Sequence, residues 1–410
     1  MAKTVYVNQN SGWQGNMKIS KSIYIKMSIY LMALRSPLII VSMALYMLTR
    51  KEMLQRSILK LVPFILFLLA ADIYSIIMGN EFGNIIGQTR DIFLAIVVAV
   101  FLLASSDISE NNRTLIYRTL KYCFVYVAIA KIFIIVLSVV AGISVNDIIS
   151  WLRDTWNIQM MSLGVEDTVL ARLQIPLDSA VPFFLYFVTR ELIHNEDNKL
   201  KTSITFVLLM ISMILTLSRA FWAETLFMVF AAIFIEAKAS KIFKISIITA
   251  IILSFIIIFT PVGDMLFKVI ETRFGNNTNN SVSDSYREWQ NRSLYNSFME
   301  MPIFGHGIGY YIPNALRSET TKYLYESQTL SMLMSLGIIG CAGLLLLIAF
   351  TCLKAVSKES SGTFTFIMPL IFLAMWLFSG SVNPLLFGAS GGSILFMTAK
   401  FHTLYKRGDS

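Results

Sequence analysis

The sequence predicts an all-α polytopic membrane protein, and three observations predict it. The chain is 56% hydrophobic, with a mean hydropathy of +0.66. Only 14% of its residues are charged, against roughly 25% in soluble chains. Apolar runs recur from end to end, as in LVPFILFLLA before Ala71, IFLAIVVAVFLLA before Ser105 and FVYVAIAKIFIIVLSVVAG up to Gly142. Each approaches the roughly 20 residues that a bilayer-crossing helix needs.

The first apolar stretch, about 20–49, reads either as one tilted helix or as a short hairpin turning at Arg35-Ser36-Pro37. The residue before a proline is disfavoured in helix, which allows the turn. Further spans are expected near 61–78, 91–105, 122–141, 180–193, 202–217, 220–236, 245–262, 328–350, 364–379 and 389–404, for a total of about 11 or 12. Lys18, Lys21 and Lys26 before the first stretch argue for a cytoplasmic N-terminus and hence an even count.

Alternate loops carry the basic residues: Arg50, Lys51, Arg56 and Lys60; Arg113, Arg118 and Lys121; Lys199 and Lys201; Lys238, Lys241 and Lys244; Lys354 and Lys358; Lys406 and Arg407. Positive loops stay in the cytoplasm, so that side is cytoplasmic. The same pattern accounts for the net charge of +9 without a nucleic-acid partner. Cys123, Cys341 and Cys352 lie in apolar segments with no CxxC spacing, so no disulfide framework, metal or other cofactor is expected.

The whole chain, 1–410, reads as a single integral membrane domain with two long loops on the outer side, 142–179 and 263–327. Function is expected there, where loops held by a rigid scaffold carry it. In the first loop, Ile148, Ile149, Trp151, Leu152 and Trp156 suit a helix lying at the membrane interface. In the second, Tyr286, Trp289 and Phe298 fit one face of a helix over 284–301, which Pro302 ends. No internal repeat is visible, so the inverted-repeat signature of many transporters is missing.

MPIFGHGIGYY, Met301 to Tyr311, places Gly305, Gly307 and Gly309 around His306. Tyr310 stands where a dinucleotide fingerprint needs its third glycine, and no GK[ST] follows for a phosphate loop. A backbone turn that lets chains approach closely is the simpler reading. His306 suits proton transfer by type, yet glycines flank it. His194 and His402 fall on the cytoplasmic side.

Arginines on the outer side are more informative. Arg172 precedes a span in ARLQIPLDSAVPF, Arg219 sits in TLSRAFW between two spans, and Arg287 lies in the loop helix. A guanidinium is always charged and grips phosphate oxygens in a fork, so three converging at headgroup level would bind pyrophosphate. The plainer alternative is that each snorkels to lipid phosphate or caps a helix; for Arg219 the tight turn leaves little freedom to do so. Arg153, Arg273, Arg292 and Arg317 rank lower. Glu326 stands at the outer mouth of the next span in YLYESQTLSMLMSLGIIG. A carboxylate there can serve as a base or simply stabilise a helix N-terminus. Asp72, Lys131 and Glu224 fall inside spans, where insertion costs roughly 2.5–3.5 kcal/mol each, so each is expected to face the protein interior, paired or lining a wet cavity, with structural pairing favoured over a proton pathway.

In order, Arg172 in RLQIPLDSAVPF, LSRAFW, an outer loop with YREWQNR, PIFGHGIG and ESQTLSMLMSLGIIG resemble the O-antigen polymerase and O-antigen ligase superfamily over roughly residues 160–345. The resemblance implies a GT-C-like glycosyltransferase of the bacterial inner membrane, working at the periplasmic face without nucleotide sugar or metal. Its donor and acceptor would be undecaprenyl-pyrophosphate-linked glycans, with a chain-length regulator and a flippase as further candidate partners. Carried over, Arg172, Arg219 and Arg287 become the pyrophosphate clamp and Glu326 the position that assists the acceptor hydroxyl, with His306 secondary. Ligases of the superfamily place a His, usually followed by Asn, where this chain has Glu326-Ser327, which favours the polymerase (Wzy-type) branch. A ligase and a transporter of lipid-linked glycans are the alternatives.

Overall fold

Ser28 and Ser42 settle the first apolar stretch. Helices α1 (Ser22–Ala33) and α2 (Leu38–Leu48) pack as an antiparallel hairpin: Ser42 Oγ donates to the Tyr24 carbonyl at 3.1 Å and accepts from Ser28 Oγ at 3.0 Å. Twelve and eleven residues rise only about 18 and 16 Å, well short of the roughly 30 Å hydrocarbon core. The stretch is therefore neither one span nor two full ones.

The computed structural model describes residues 22–34, 36–156, 161–164, 171–194, 199–236, 278–359 and 365–405. The expected 245–262 span, Arg273 and the start of the second loop lie outside them. The remaining elements are α3 (Lys51–Ile77), α4 (Phe82–Ser106), α5 (Glu110–Ala141), α6 (Val145–Trp156), β1 (Met161–Gly164), β2 (Ala171–Gln174), α7 (Val181–His194), α8 (Lys199–Leu215), α9 (Arg219–Glu236), α10 (Thr278–Glu300), α11 (Gln328–Ser357), α12 (Ile367–Val382) and α13 (Gly388–Ala399). The described membrane part is all helical. Among the described residues four helices have the length and apolarity to cross a bilayer: Glu52–Ile77, Phe82–Ser106, Glu110–Ala141 and Gln328–Ser357.

Shorter apolar helices fill the middle. Residues Phe183 to Val188 of α7 are completely buried, as suits a helix apolar on every side. Helix α13 contains Ser390-Gly391-Gly392-Ser393 and packs on α4 so closely that a Cβ on Gly392 would sit 2.4 Å from the Ala95 carbonyl oxygen. Small residues let helix backbones approach where apolar burial gives no driving force between helices. Helix α13 ends at Ala399 and the chain then turns, shorter than the expected 389–404 span, because Lys400 leaves the helix to pair.

Lys400 Nζ lies 2.6 Å from both Asp107 Oδ1 and Glu359 Oε1, and Lys60 Nζ lies 3.2 Å from Asp107 Oδ2. These pairs draw together the ends of α3, α4, α11 and α13 that adjoin the basic loops. The two long loops meet the opposite ends. The first contains an unexpected feature, an antiparallel β1–β2 hairpin with Leu163 opposite Arg172. Leu173 anchors it by packing with Val145, Ile148 and Ile149 of α6 and Ile134 of α5.

Of the ionisable residues within spans, Asp72 accepts from Thr89 Oγ1 at 2.5 Å and Glu224 is fully buried. Lys131 meets Asp178 at 2.6 Å with both side chains wholly buried. Asp178 also accepts the Ile175 amide at 2.8 Å, which ties the segment after β2 to α5. Lys131→Met should destabilise the protein by about 3–5 kcal/mol, because it strands a buried carboxylate, whereas removing both charges should cost less. Thermal unfolding in detergent checks the pair, and equal losses in the single and double variants would contradict it.

Candidate active site

Helices α8 and α9 meet at Leu217-Ser218-Arg219 with almost no loop. Leu217 takes up a left-handed backbone, φ 46°, unusual for a branched residue and held here by burial. Trp222 Nε1 donates to the Met213 carbonyl at 2.9 Å across the same turn. Ser218 then precedes α9 and leaves Arg219 as its first residue. A cation at a helix N-terminus opposes the macrodipole. Its position is not what helix stability alone would select.

The opposing charge comes from α10. Asp284 Oδ1 lies 2.6 Å from Arg219 Nη2 and 4.0 Å from Arg287 Nη1. Arg287 Nη2 is in turn 3.7 Å from Glu326 Oε2, and Arg317 Nε is 3.0 Å from Glu326 Oε1. Alternating charges thus run Arg219, Asp284, Arg287, Glu326, Arg317, joining α9, α10 and the segment before α11. Three cations face two carboxylates, which leaves a local excess of positive charge suited to an anion.

Buried amides hold the chain in place. Gln290, fully buried, accepts from the Glu326 backbone N–H at 2.9 Å and donates to the Ala315 carbonyl at 3.0 Å. Tyr286 Oη donates to the Leu316 carbonyl at 2.7 Å, next to Arg317. Ser327 caps α11 through its Oγ, which accepts the Leu330 amide at 3.4 Å, so Glu326 sits at the positive end of that helix. Tyr325 Oη accepts the Ile312 amide at 2.7 Å, and burial pushes its phenol up to about 12.

The glycine stretch has a different job. Helix α11 is broken at Gly337, φ 64° and ψ −174°. The Met334 and Ser335 carbonyls accept from the amides of His306 at 2.9 Å and Gly307 at 2.8 Å, while the amides of Ile338 and Ile339 donate to the Pro302 and Ile303 carbonyls at 2.8 and 3.1 Å. Loop and helix therefore satisfy each other's backbone. From the α3–α4 tip, Asn80 Nδ2 donates to the His306 and Ile308 carbonyls, at 2.9 and 3.1 Å. The amides of Ile308 and Gly309 donate at 2.6 Å to Ser75 Oγ and Gln88 Oε1. With the amides of Gly305 and Tyr310 also bonded, every N–H from 305 to 310 is committed and none is left to cradle a phosphate.

His306 shares that structural role. Its buried ring stacks on Tyr310, centroids 4.3 Å apart, and Nε2 lies 2.8 Å from the Ser297 carbonyl. A carbonyl only accepts, so Nε2 carries a proton there and closes the end of α10. The ring is outside the alternating charge chain. Arg172, on β2, donates from Nε and Nη2 to Gln174 Oε1 at 3.1 and 2.5 Å, a contact separate from the pairs around Glu326.

The structure thus brings together Arg219, Arg287 and Glu326 and adds Asp284, Gln290 and Arg317. Asp284 was legible as an i,i+3 partner of Arg287 on a helix. Arg317 ranked low and Gln290 carried no sequence signal, since only the path of 313–326 along α10 gives them their partners.

No curated protein matches the chain. Residues 204–345, which hold every member of the charge chain and the whole glycine stretch, match the family model described as O-antigen ligase. The match spans about a third of the chain and makes that stretch similar to the O-antigen polymerase and ligase superfamily.

Proposed function

We propose that this protein polymerises lipid-linked oligosaccharide repeat units, of O-antigen or a related surface polysaccharide, at the periplasmic face of the bacterial inner membrane. The observation that carries the reading is the charge chain from Arg219 to Arg317, at helix ends remote from the basic loops. A polyprenyl pyrophosphate would compete with Asp284 and Glu326 for the guanidinium groups. Arg219 and Arg287 would take its oxygens in bidentate contacts, and Arg172 would have to leave Gln174 to join them.

Displaced from Arg287, the Glu326 carboxylate is free to accept a hydrogen bond from the acceptor hydroxyl. That oxygen attacks the anomeric carbon of the growing glycan, the bond to the pyrophosphate breaks, and the proton passes to Glu326. The charge that develops on the leaving pyrophosphate falls where the arginines already stand. Glu326-Ser327 in place of the ligase His favours polymerase over ligase.

Purified protein supplied only with purified lipid-linked repeats should yield a ladder of longer glycans. Transfer to a lipid A-core acceptor without laddering would indicate a ligase, and movement of repeats across vesicles without new bonds a transporter. Glu326→Gln keeps the shape and should lower turnover by about 10²–10⁴-fold, the usual worth of a positioned base. An unchanged rate would remove Glu326 from proton transfer.

A further inference from the structure

Helix α3 turns most of its apolar side chains outward, so in a bilayer hydrocarbon chains cover it. A groove of about 280 Å³ runs between α3 and α4 on this surface. Ile65, Leu69 and Phe93 line its deeper part, and Asp72, Thr89 and Arg90 stand closer to the α3–α4 tip. Asp72 accepts from Thr89 Oγ1 through Oδ1 alone, at 2.5 Å, and among the described residues no cation pairs with it. Arg90 gives Nε and Nη2 to Asp91 Oδ1, at 3.2 and 3.1 Å, yet its side chain stays 64% exposed with N–H donors to spare. Charges that face hydrocarbon are costly unless a polar group meets them. With Asp91 counted, two carboxylates stand around one cation, so this end of the groove repels an anionic headgroup and suits a zwitterionic one.

We infer that this groove binds a phospholipid with an amine headgroup, its phosphate on Arg90, its ammonium on Asp72 and an acyl chain along Ile65, Leu69 and Phe93. Charged groups toward the tip and apolar ones deeper in the span follow the order of such a lipid from head to chain. Thr89, which fixes Asp72, is the neighbour of Arg90, so one phosphoethanolamine reaches both charges. The ammonium donates to the carboxylate oxygen that Thr89 leaves open, and the phosphate takes the spare guanidinium donors. The site does not depend on the reaction proposed above, but it touches the same segment. Asp91 Oδ2 accepts from Tyr323 Oη at 3.1 Å, so the lipid steadies the stretch that runs on to Glu326.

Native mass spectrometry of the full chain, stripped of lipid in detergent and titrated with phospholipids of identical acyl chains, tests this through the first lipid bound. Phosphatidylethanolamine should bind about tenfold more tightly than phosphatidylglycerol, the worth of a hydrogen bond to a charged group. Phosphatidylcholine, whose ammonium has no N–H, should bind no better than phosphatidylglycerol. Asp72→Asn, which can still accept from Thr89, should erase the preference by weakening phosphatidylethanolamine alone. Arg90→Ala should weaken phosphatidylethanolamine and phosphatidylglycerol alike, and Leu69→Trp should do the same by filling the groove without touching a charge. Equal binding of the two lipids to the wild type, tighter binding of phosphatidylglycerol or of polyprenyl phosphate, or a preference that survives Asp72→Asn each overturns the site. The wild-type series and Leu69→Trp decide it even where a charge variant fails to fold, since undiminished binding to Leu69→Trp would place the lipid outside the groove.

Discussion

Arg219→Ala should abolish polymer formation while leaving the protein inserted and folded. Removing one preorganised charge that meets a developing anion costs about 10²–10³ in rate, enough to erase a ladder. The same substitution should change stability by less than about 1 kcal/mol, the worth of a solvent-accessible ion pair, since Arg219 and Asp284 are 40% and 46% exposed. It also removes a cation from the wrong end of α9. The two readouts therefore part: glycan laddering disappears and the unfolding midpoint in detergent stays near wild type. Full-length ladders from the variant would take Arg219 out of the mechanism, and loss of folded protein would turn its role into a structural one.

Gly337→Ala is expected to do the opposite and destroy the fold. A Cβ at Gly337 would lie 2.4 Å from the Ile303 carbonyl oxygen, and one at Gly305 would lie 2.4 Å from the Gly337 nitrogen. Both residues also hold positive φ. The atoms in the way are backbone already fixed by hydrogen bonds, so neither side can yield as a flexible side chain would. Strain and overlap together should cost more than about 4 kcal/mol, the range that marks a broken structural device. Recovery of folded, monodisperse protein from either Gly337→Ala or Gly305→Ala would show that the helix break tolerates a side chain.

How much of this was legible in the sequence depended on whether a residue's role is local. Spans show themselves because the bilayer forces every crossing segment to be apolar and helical, so α3, α4, α5 and α11 stand out in any reading. Hairpin α1–α2 was ambiguous because its residues are as apolar as a span's, and the serine contacts that join its halves look like ordinary small residues. The β1–β2 hairpin was invisible: four-residue strands leave too little alternation to detect. Arg219, Arg287 and Glu326 could be named because each stands in a short polar motif next to an apolar run. Arg317 could be named only as a lower-ranked arginine and Gln290 not at all, since their partners come from a fold-back of 313–326 that no local pattern encodes. The glycines of 305–309 drew attention by composition, but their purpose depended on a break in a helix some 30 residues later, at Gly337.

The knot of loop, broken helix and α3–α4 tip also sets an order in time. Tyr74, Ser75, Asn80 and Gln88 find their bonding partners 221 to 233 residues further along the chain. At the roughly 5–20 residues per second of synthesis, those polar groups wait about 10–45 s at the membrane edge before their partners exist. Water or lipid headgroups must serve them meanwhile. The charge chain closes only when Glu326 arrives, later still. A ribosome-bound chain is therefore anchored in the bilayer well before Glu326 can meet its arginines, and this end of the helices is the last part of the protein to become itself.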